Sequence, residues 1–277
     1  MGLATLYFGR ILAPPEPRET RRTRETASRI FTLRKLFLVL LFSAFAAFAG
    51  EPDPAALVQR SYDQAKHEFQ EHPADPEKVW RYARAAFDKG DMVASNSERA
   101  EIAQDAIAAC KQALAQNPNS APLHYYLGLN QGELARTRSL GALKLVDQME
   151  REFLRAIELD PHFDYAGAER SLGMLYRDAP ALASIGSKSK ARVHLQKALE
   201  LAPEYPENRL NLVESEIKWG ERKAARNDLN LLEEALPAAR SKFSGPEWAA
   251  SWLDWNNRIE KARKTLQEPA RLEAPRH

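Results

Sequence analysis

Four stretches of the chain end in the same way and decide the fold: CKQALAQNP (110–118), FLRAIELDP (153–161), LQKALELAP (195–203) and LNLLEEALP (229–237). In each stretch, apolar or small residues lie five, eight and twelve positions before the closing proline. Offsets of four and three place these positions on one stripe of a helix. A proline beyond the stripe is typical of a helix end, so the pattern predicts one helix design used four times.

A second helical pattern lies upstream of each of these ends. Its central pairs share one phase along the chain: Leu127-Gly128, Leu172-Gly173 and Leu212-Val213. Two helices with a small residue at their crossing and proline at the exit resemble the tetratricopeptide repeat (TPR), whose hairpins stack into a solenoid. We therefore predict an all-α fold, an α-solenoid of stacked TPR helix hairpins. The first unit departs from the pattern, with Arg84 where glycine is usual.

Three of the four units are longer than a standard TPR. The small residue lies 24 positions before the closing proline in the last unit, but 34, 33 and 30 positions before it in the others. We expect these long inter-helix insertions to project from one edge of the array, where insertions often form a binding surface. Two insertions are apolar, with Leu140, Leu143, Leu145 and Val146 in one and Ala181, Leu182 and Ile185 in the other. Either a partner, a sister subunit or a ligand covers them, or they fold back on the core of the array.

The chain divides into three parts. Residues 1–49 are predicted to be an N-terminal extension and signal peptide, residues 50–267 the solenoid, and residues 268–277 a tail. Within the solenoid we expect four units and two capping helices: about 78–118, 121–161, 164–203 and 204–237, with caps at 54–71 and 246–267. A stripe of large side chains fits the core of the second cap better than a ligand platform: Trp248, Trp252, Trp255 and Ile259.

The targeting segment follows Arg34 and Lys35. Residues 36–49 are apolar except for Ser43, and they end in Ala47-Phe48-Ala49. A basic flank, a short apolar run and small residues at the end are the parts of a secretory signal. We therefore expect a periplasmic or secreted protein after cleavage near Ala49. Fourteen helical residues reach about 21 Å, short of a bilayer core of about 30 Å, so an N-terminal membrane anchor is the alternative.

Composition argues for binding rather than catalysis. The 277 residues carry a net charge of +2, but without residues 1–49 there remain 32 basic and 35 acidic side chains, which gives no electrostatic reason to bind nucleic acid. The single cysteine, Cys110, lies on the core stripe and excludes a cysteine-based metal site within one chain. No nucleotide-binding or hydrolase motif occurs in the sequence. We predict no enzyme activity, no cofactor and no metal.

Repeat arrays bind partners on the concave wall formed by the first helix of each hairpin. The repeat phase gives six candidates there: Tyr125, Leu129, Glu133, Arg170, Met174 and Arg177. Ordinary packing within the stack is the alternative for these residues. The apolar insertions add four candidates at the edge: Leu140, Leu143, Leu182 and Ile185.

Residues 121–236, with the element LGMLYRDAP at 172–180, resemble the bacterial T component of tripartite ATP-independent periplasmic (TRAP) transporters. Eukaryotic regulators of microtubule dynamics are a more distant likeness. The first resemblance implies an oligomer-forming periplasmic protein that meets a solute-binding protein, with a small apolar or carboxylate solute as cargo. We therefore expect an exported, transport-associated scaffold that binds a partner protein or such a solute, and that can form a homo-oligomer. The alternatives are a cell-envelope assembly scaffold for polypeptide segments and a small-molecule carrier in its own right.

Overall fold

The structure, a computed structural model, describes residues 54–138 and 141–268 of the chain. Within these two ranges it forms ten α-helices, one short 3-10 helix and no strand, which confirms the all-α prediction. The helices are α1 (Pro54–Glu71), α2 (Pro76–Met92), α3 (Asn96–Gln116), α4 (Ala121–Arg136), α5 (Ala142–Leu159), α6 (Phe163–Asp178), α7 (Lys188–Leu201), α8 (Pro206–Lys218), α9 (Arg222–Lys242) and α10 (Ala249–Gln267), with the 3-10 turn Pro246–Trp248 before α10. None of the described helices is long and apolar enough to cross a bilayer.

Eight of the helices form four antiparallel hairpins, α2–α3, α4–α5, α6–α7 and α8–α9, with α1 and α10 packed at the two ends. Polar side chains begin several of these helices. Asp75, Ser95, Ser120 and Ser187 each accept a hydrogen bond from a backbone N–H two or three residues further on. Such caps bind backbone amides that have no partner inside the helix. The local sequence therefore determines where these helices begin.

Small residues lie where the helices of a hairpin cross, as the repeat pattern predicts. A methyl group on Gly128 would lie 2.6 Å from Cε1 of Phe153, and one on Gly173 would lie 2.8 Å from Cγ of Leu195. Both distances are shorter than any carbon–carbon contact in a packed core. The apolar residue eight positions before each closing proline therefore fills the space that the glycine leaves open.

The extra residues of the long units lie mostly in helices, and the expectation of loops is wrong for two of the three units. The connection in the first hairpin is residues 93–95, and in the second hairpin α4 ends at Arg136 and α5 begins at Ala142. Helices α2 to α5 are instead 16 to 21 residues long. The third unit does carry a loop, residues 179–187. In the first unit the side chain of Ser95 caps the start of α3, so this helix begins directly after the short connection.

Pro237 does not end the last repeat helix, so this part of the prediction is wrong as well. Helix α9 runs through Pro237 to Lys242. Proline inside a helix removes one backbone hydrogen bond. The additional turn carries Ala239, which is buried, and leads to Phe243, which is 1% exposed. Burial of these side chains offsets the lost bond.

The interior consists of two hydrophobic cores. The N-terminal core extends from α1 to α7, with Phe87, Cys110, Tyr125, Phe153 and Leu195 among its members. The C-terminal core is formed by α8, α9, the 3-10 turn and α10, around a set of aromatic rings: Tyr205, Phe243, Trp248 and Trp255. The predicted Trp stripe thus lies in the core of the cap, with Trp252 partly buried at its rim.

Candidate functional site

A pocket of about 260 Å³ opens on the inner face of the array. It lies where the first helices of three successive hairpins meet: Trp80 and Arg84 come from α2, Tyr126 from α4, and residues 162–165 from the start of α6. This is the concave wall on which TPR arrays bind their partners. The volume is close to that of one large side chain or a small organic molecule.

Aromatic rings form the walls of the pocket. The rings of Trp80 and Tyr126 stack with their centroids 5.8 Å apart and their planes 8° from parallel. Phe163 meets both rings edge-on, at 5.9 Å from Trp80 and 6.1 Å from Tyr126. Rings in such stacked and edge-on pairs hold one another in place, so the pocket offers a rigid, apolar surface.

Arg84 provides a cation at this wall. Its side chain is about one quarter exposed, and its one ion pair within the described ranges is a 4.0 Å contact between Nε and Oδ2 of Asp88. At that distance no hydrogen bond forms. Burial raises the pKa of Asp88, and the nearby Asp164 carboxylate adds to this rise. Within the described residues the Arg84 guanidinium donates no hydrogen bond, and it lines the aromatic pocket.

Asp164 forms the opposite polar edge of the pocket. Its Oδ2 accepts a hydrogen bond of 3.1 Å from the hydroxyl of Tyr125 and one of 3.4 Å from Nη2 of Arg170. The backbone of Asp164, Tyr165 and Ala166 lies in the left-handed region, with φ of 51°, 56° and 60°. The pocket wall therefore includes a turn that non-glycine residues rarely form.

Beyond the pocket, a polar cluster joins α8 to α10 in the C-terminal part of the array. Arg258, on α10, donates hydrogen bonds to both carboxylate oxygens of Glu214 and to Oδ1 of Asn211. Burial raises the pKa of Asp254, and the charge of Asp91, on α2, adds to this rise.

The predicted concave residues lie deeper than expected. Five of them are buried, each with no more than 2% of its surface exposed: Tyr125, Leu129, Glu133, Arg170 and Met174. Arg177 is partly buried and pairs with Asp178 at 2.7 Å. Tyr125 and Arg170 support Asp164 from behind, and Glu133 accepts hydrogen bonds from Arg136 at 3.1 Å. These residues therefore lie beneath the surface of the first helices and do not form an exposed binding face.

The predicted edge residues divide into covered and exposed ones. Leu182 is fully exposed in loop 179–187, and Leu143 is 40% exposed at the start of α5. Ile185 and Leu145 pack against the N-terminal core. Leu140 lies outside the described residues, as do residues 1–49 with the predicted signal and residues 269–277 of the predicted tail.

The site prediction missed the residues that line the pocket: Trp80, Arg84, Tyr126 and Phe163. One signal in the sequence indicated them. Arg84 departs from the repeat pattern, which has glycine at the corresponding position. Cys110 is fully buried and burial raises its pKa. Among the described residues, no group of three or more His, Cys, Asp or Glu side chains is placed to hold a metal ion.

Stacked helix hairpins with a pocket on their inner face define a TPR-like scaffold fold. The chain belongs to the family described as Regulator of microtubule dynamics protein 1-3, whose family model matches residues 55–242. The crystal structure of a thermophilic TPR protein from Thermus thermophilus is similar, with a TM-score of 0.56 and 21% sequence identity over 76% of this chain and 92% of that chain. At this identity the likeness shows the fold alone.

A second solved structure, that of the MamA protein, has a TM-score of 0.44 and 17% identity over 69% of this chain and 96% of that chain. No curated protein sequence matches the chain. The family membership matches the more distant of the two resemblances noted in the sequence. The resemblance to the transporter T component is not confirmed and stays a prediction.

Proposed function

We propose that the protein is a binding scaffold that holds a segment of a partner polypeptide on its concave face. The observation that carries this proposal is the pocket itself, in which three aromatic rings and the Arg84 guanidinium converge from three hairpins. An apolar side chain of the partner fills the aromatic part. A neighbouring carboxylate of the partner takes up the donors of Arg84, because a guanidinium binds a carboxylate through two parallel hydrogen bonds.

The local charges support a carboxylate at Arg84. Asp88 is too distant for a hydrogen bond, and its raised pKa makes this carboxyl easier to neutralise than an ordinary aspartate. It therefore competes weakly for the guanidinium. A partner carboxylate at hydrogen-bond distance would gain the stronger interaction, since a bond between charged groups contributes about 1.5–3 kcal/mol.

The test is a selection of peptides from a random display library on the full-length protein. We expect enriched sequences to share an apolar or aromatic residue beside Asp or Glu. The best peptide, made synthetically, should bind Arg84→Met and Trp80→Ala at least about tenfold more weakly than the unchanged protein. Arg155→Met is the matched control, because Arg155 lies on α5, away from the pocket, and pairs with Glu158. No enrichment, or equal binding by all variants, contradicts the proposal.

A small apolar carboxylate is the second candidate ligand, since the same aromatic walls and guanidinium would hold it. Native mass spectrometry of gently purified protein separates the two. A co-purified acid of a few hundred daltons that displaces the selected peptide indicates a carrier. A protein that is free of such an acid, and that binds the peptide, indicates a scaffold.

Export and transport association form the finer part of the proposal. They rest on the signal pattern of residues 34–49 and on the likeness of residues 121–236 to the T component, and they name a periplasmic solute-binding protein as the partner. Cell fractionation of the natural host with N-terminal sequencing tests this part. A mature protein that begins at Gly50 supports export, and an intact precursor in the cytoplasm contradicts it.

A further inference from the structure

The turn that begins α6 adopts an unusual backbone conformation. Asp164, Tyr165 and Ala166 have φ/ψ angles of 51°/45°, 56°/50° and 60°/40°. In this left-handed region the Cβ of an ordinary residue comes too close to the following carbonyl oxygen. Three such residues in a row persist only where their surroundings hold them, and strain of this kind gathers at ligand sites. Here two of the three residues, Asp164 and Tyr165, line the pocket.

Arg170 holds the turn from inside the protein. Its Nη1 donates to the backbone oxygen of Tyr165 at 3.1 Å, and its Nη2 donates to the backbone oxygen and to Oδ2 of Asp164, both at 3.4 Å. The side chain is 2% exposed, so solvent water has little access to replace these bonds. A planar guanidinium with a fixed fork of donors suits three acceptors that lie so close together.

The neighbouring hairpin anchors Arg170 in turn. Oδ1 of Asn208, on α8, accepts a hydrogen bond of 3.0 Å from Nη1 of Arg170, and its Nδ2 donates to the Tyr165 oxygen at 3.1 Å. Glu207 places a carboxylate oxygen 3.8 Å from Nε of Arg170. The guanidinium also lies 5.1 Å from the ring centre of Tyr205. The first turn of α8 therefore holds Arg170 in place, and Arg170 in turn holds the left-handed turn at 164–166.

We propose that Arg170 is a positioning residue for the pocket: it stabilises the left-handed turn at 164–166, and the turn places Phe163, Asp164 and Tyr165 as one wall. Arg170 acts through this turn and does not contact the bound ligand. A right-handed conformation at these three residues would turn the chain in the opposite sense, and Phe163, Asp164 and Tyr165 would not form this wall. The identity of the ligand depends on the proposed function, whereas the conformation of the turn can be measured without any ligand.

The experiment compares Arg170→Lys with the double variant Arg170→Lys/Ala166→Gly, by amide hydrogen exchange of residues 163–167 in the full chain. Lysine keeps the positive charge but lacks the forked N–H donors of the guanidinium. We therefore expect amide exchange at the turn to become at least tenfold faster, while the amides of α3 keep their rates. Glycine adopts positive φ without strain, so it should recover at least a third of the lost protection. Arg258→Lys is the matched control, since this arginine is also buried but bonds to Asn211 and Glu214 instead.

Unchanged exchange in Arg170→Lys, or a double variant that exchanges as fast as the single one, overturns the proposal. If Arg170→Lys does not fold, Ala166→Gly alone decides: slower exchange at the turn supports a strained conformation, and equal or faster exchange overturns it. Affinity for the selected peptide is then measured on the same variants. Loss in Arg170→Lys with recovery by glycine supports the positioning role, and full affinity in Arg170→Lys overturns it. A protein that binds no peptide while exchange follows the expected order contradicts the proposed function alone.

Discussion

The two cores of the molecule fill space in different ways. The N-terminal core uses one solution in two successive hairpins, in which a glycine at the crossing leaves room for a larger side chain, Phe153 or Leu195. The C-terminal core packs against the single helix α10, and it gathers Tyr205, Phe243 and Trp255 around one point, with ring centres 5.4 to 6.3 Å apart. A repeated hairpin interface needs small residues at equivalent positions, whereas the C-terminal core is filled by large aromatic side chains.

The largest effect is expected from Trp255→Ala. Trp255 is fully buried among the rings of the C-terminal core, so its removal leaves a cavity and should cost about 3–5 kcal/mol of unfolding free energy. Because each repeat contacts only its neighbours, α8 to α10 should lose amide protection while α2 to α4 keep most of theirs. The measurements are urea unfolding and hydrogen exchange.

Phe153→Ala is the counterpart in the N-terminal core, where Phe153 is also fully buried. A cavity in the middle of the stack should reduce protection on both sides of α5. If both variants lose protection evenly over the whole chain, the two cores form one cooperative unit and the distinction between them is wrong.

A buried carboxyl in the C-terminal half gives a pH-dependent effect. Burial raises the pKa of Glu216 to about 7, and the Asp228 charge adds to the rise. The folded state then keeps a proton that the unfolded chain releases near pH 4.5, so this contribution is full below pH 4.5 and is lost as the pH rises through 7. We expect Glu216→Gln to reduce the fall in unfolding free energy between pH 5 and pH 8 by about 2–3 kcal/mol.

Glu200→Gln is the control for this experiment, because Glu200 is exposed beside Lys197. Urea titrations at several pH values should give the same profile for this control and for the unchanged protein. A Glu216→Gln profile parallel to both would show that Glu216 is ionised in the fold at neutral pH.

The glycine at a helix crossing tests the packing of the N-terminal core in the opposite way, by adding a methyl group instead of removing a side chain. Gly128→Ala would place a methyl group 2.6 Å from the Phe153 ring, and overpacking of this kind costs about 1–3 kcal/mol. Gly90→Ala is the matched change, since its methyl group would lie 3.3 Å from Cγ of Glu133, a longer distance than at Gly128. We expect little or no loss of stability there, because alanine favours helix over glycine. Thermal unfolding compares the two, and equal losses would contradict tight packing at Gly128.

The smallest effect on stability is expected at the edge. Leu143→Asp and Leu182→Asp alter exposed side chains and should change the unfolding free energy by less than about 0.5 kcal/mol. These two variants test binding, because the sequence predicts that the exposed part of the apolar edge contacts a partner, a sister subunit or a ligand. If oligomer formation, partner binding and ligand binding all persist in both variants, the edge has no such role.

Much of the fold could be predicted from the sequence because the repeat positions recur at fixed offsets. Gly128, Gly173 and the residues that face them follow directly from the closing prolines, and Trp255 follows from a helical stripe. Helix length could not be predicted in the same way, since a stretch between two repeat positions is equally compatible with a loop and with a longer helix. The prediction that the helix ends at Pro237 was wrong for a related reason. Burial of Ala239 and Phe243 outweighs the one backbone hydrogen bond that the proline removes.

The pocket was harder to predict than the fold. Trp80, Tyr126 and Phe163 are far apart in the chain, and they meet only because three hairpins stack with their first helices on the inner face. The turn at Asp164, Tyr165 and Ala166 carries no glycine within it, so no local signal indicates positive φ there. The arginine and asparagine that hold it come from later in α6 and from α8.

The continuation of α9 past Pro237 has a consequence for how this array can evolve. Its last turn brings Phe243 against Trp248 and Trp255 and so fills the face on which another hairpin would have to stack. Duplication of a repeat behind α9 would expose four large rings to water, whereas duplication between the earlier hairpins would only add another copy of an existing contact. Length variation among related chains should therefore occur in the interior of the array and spare its aromatic terminus.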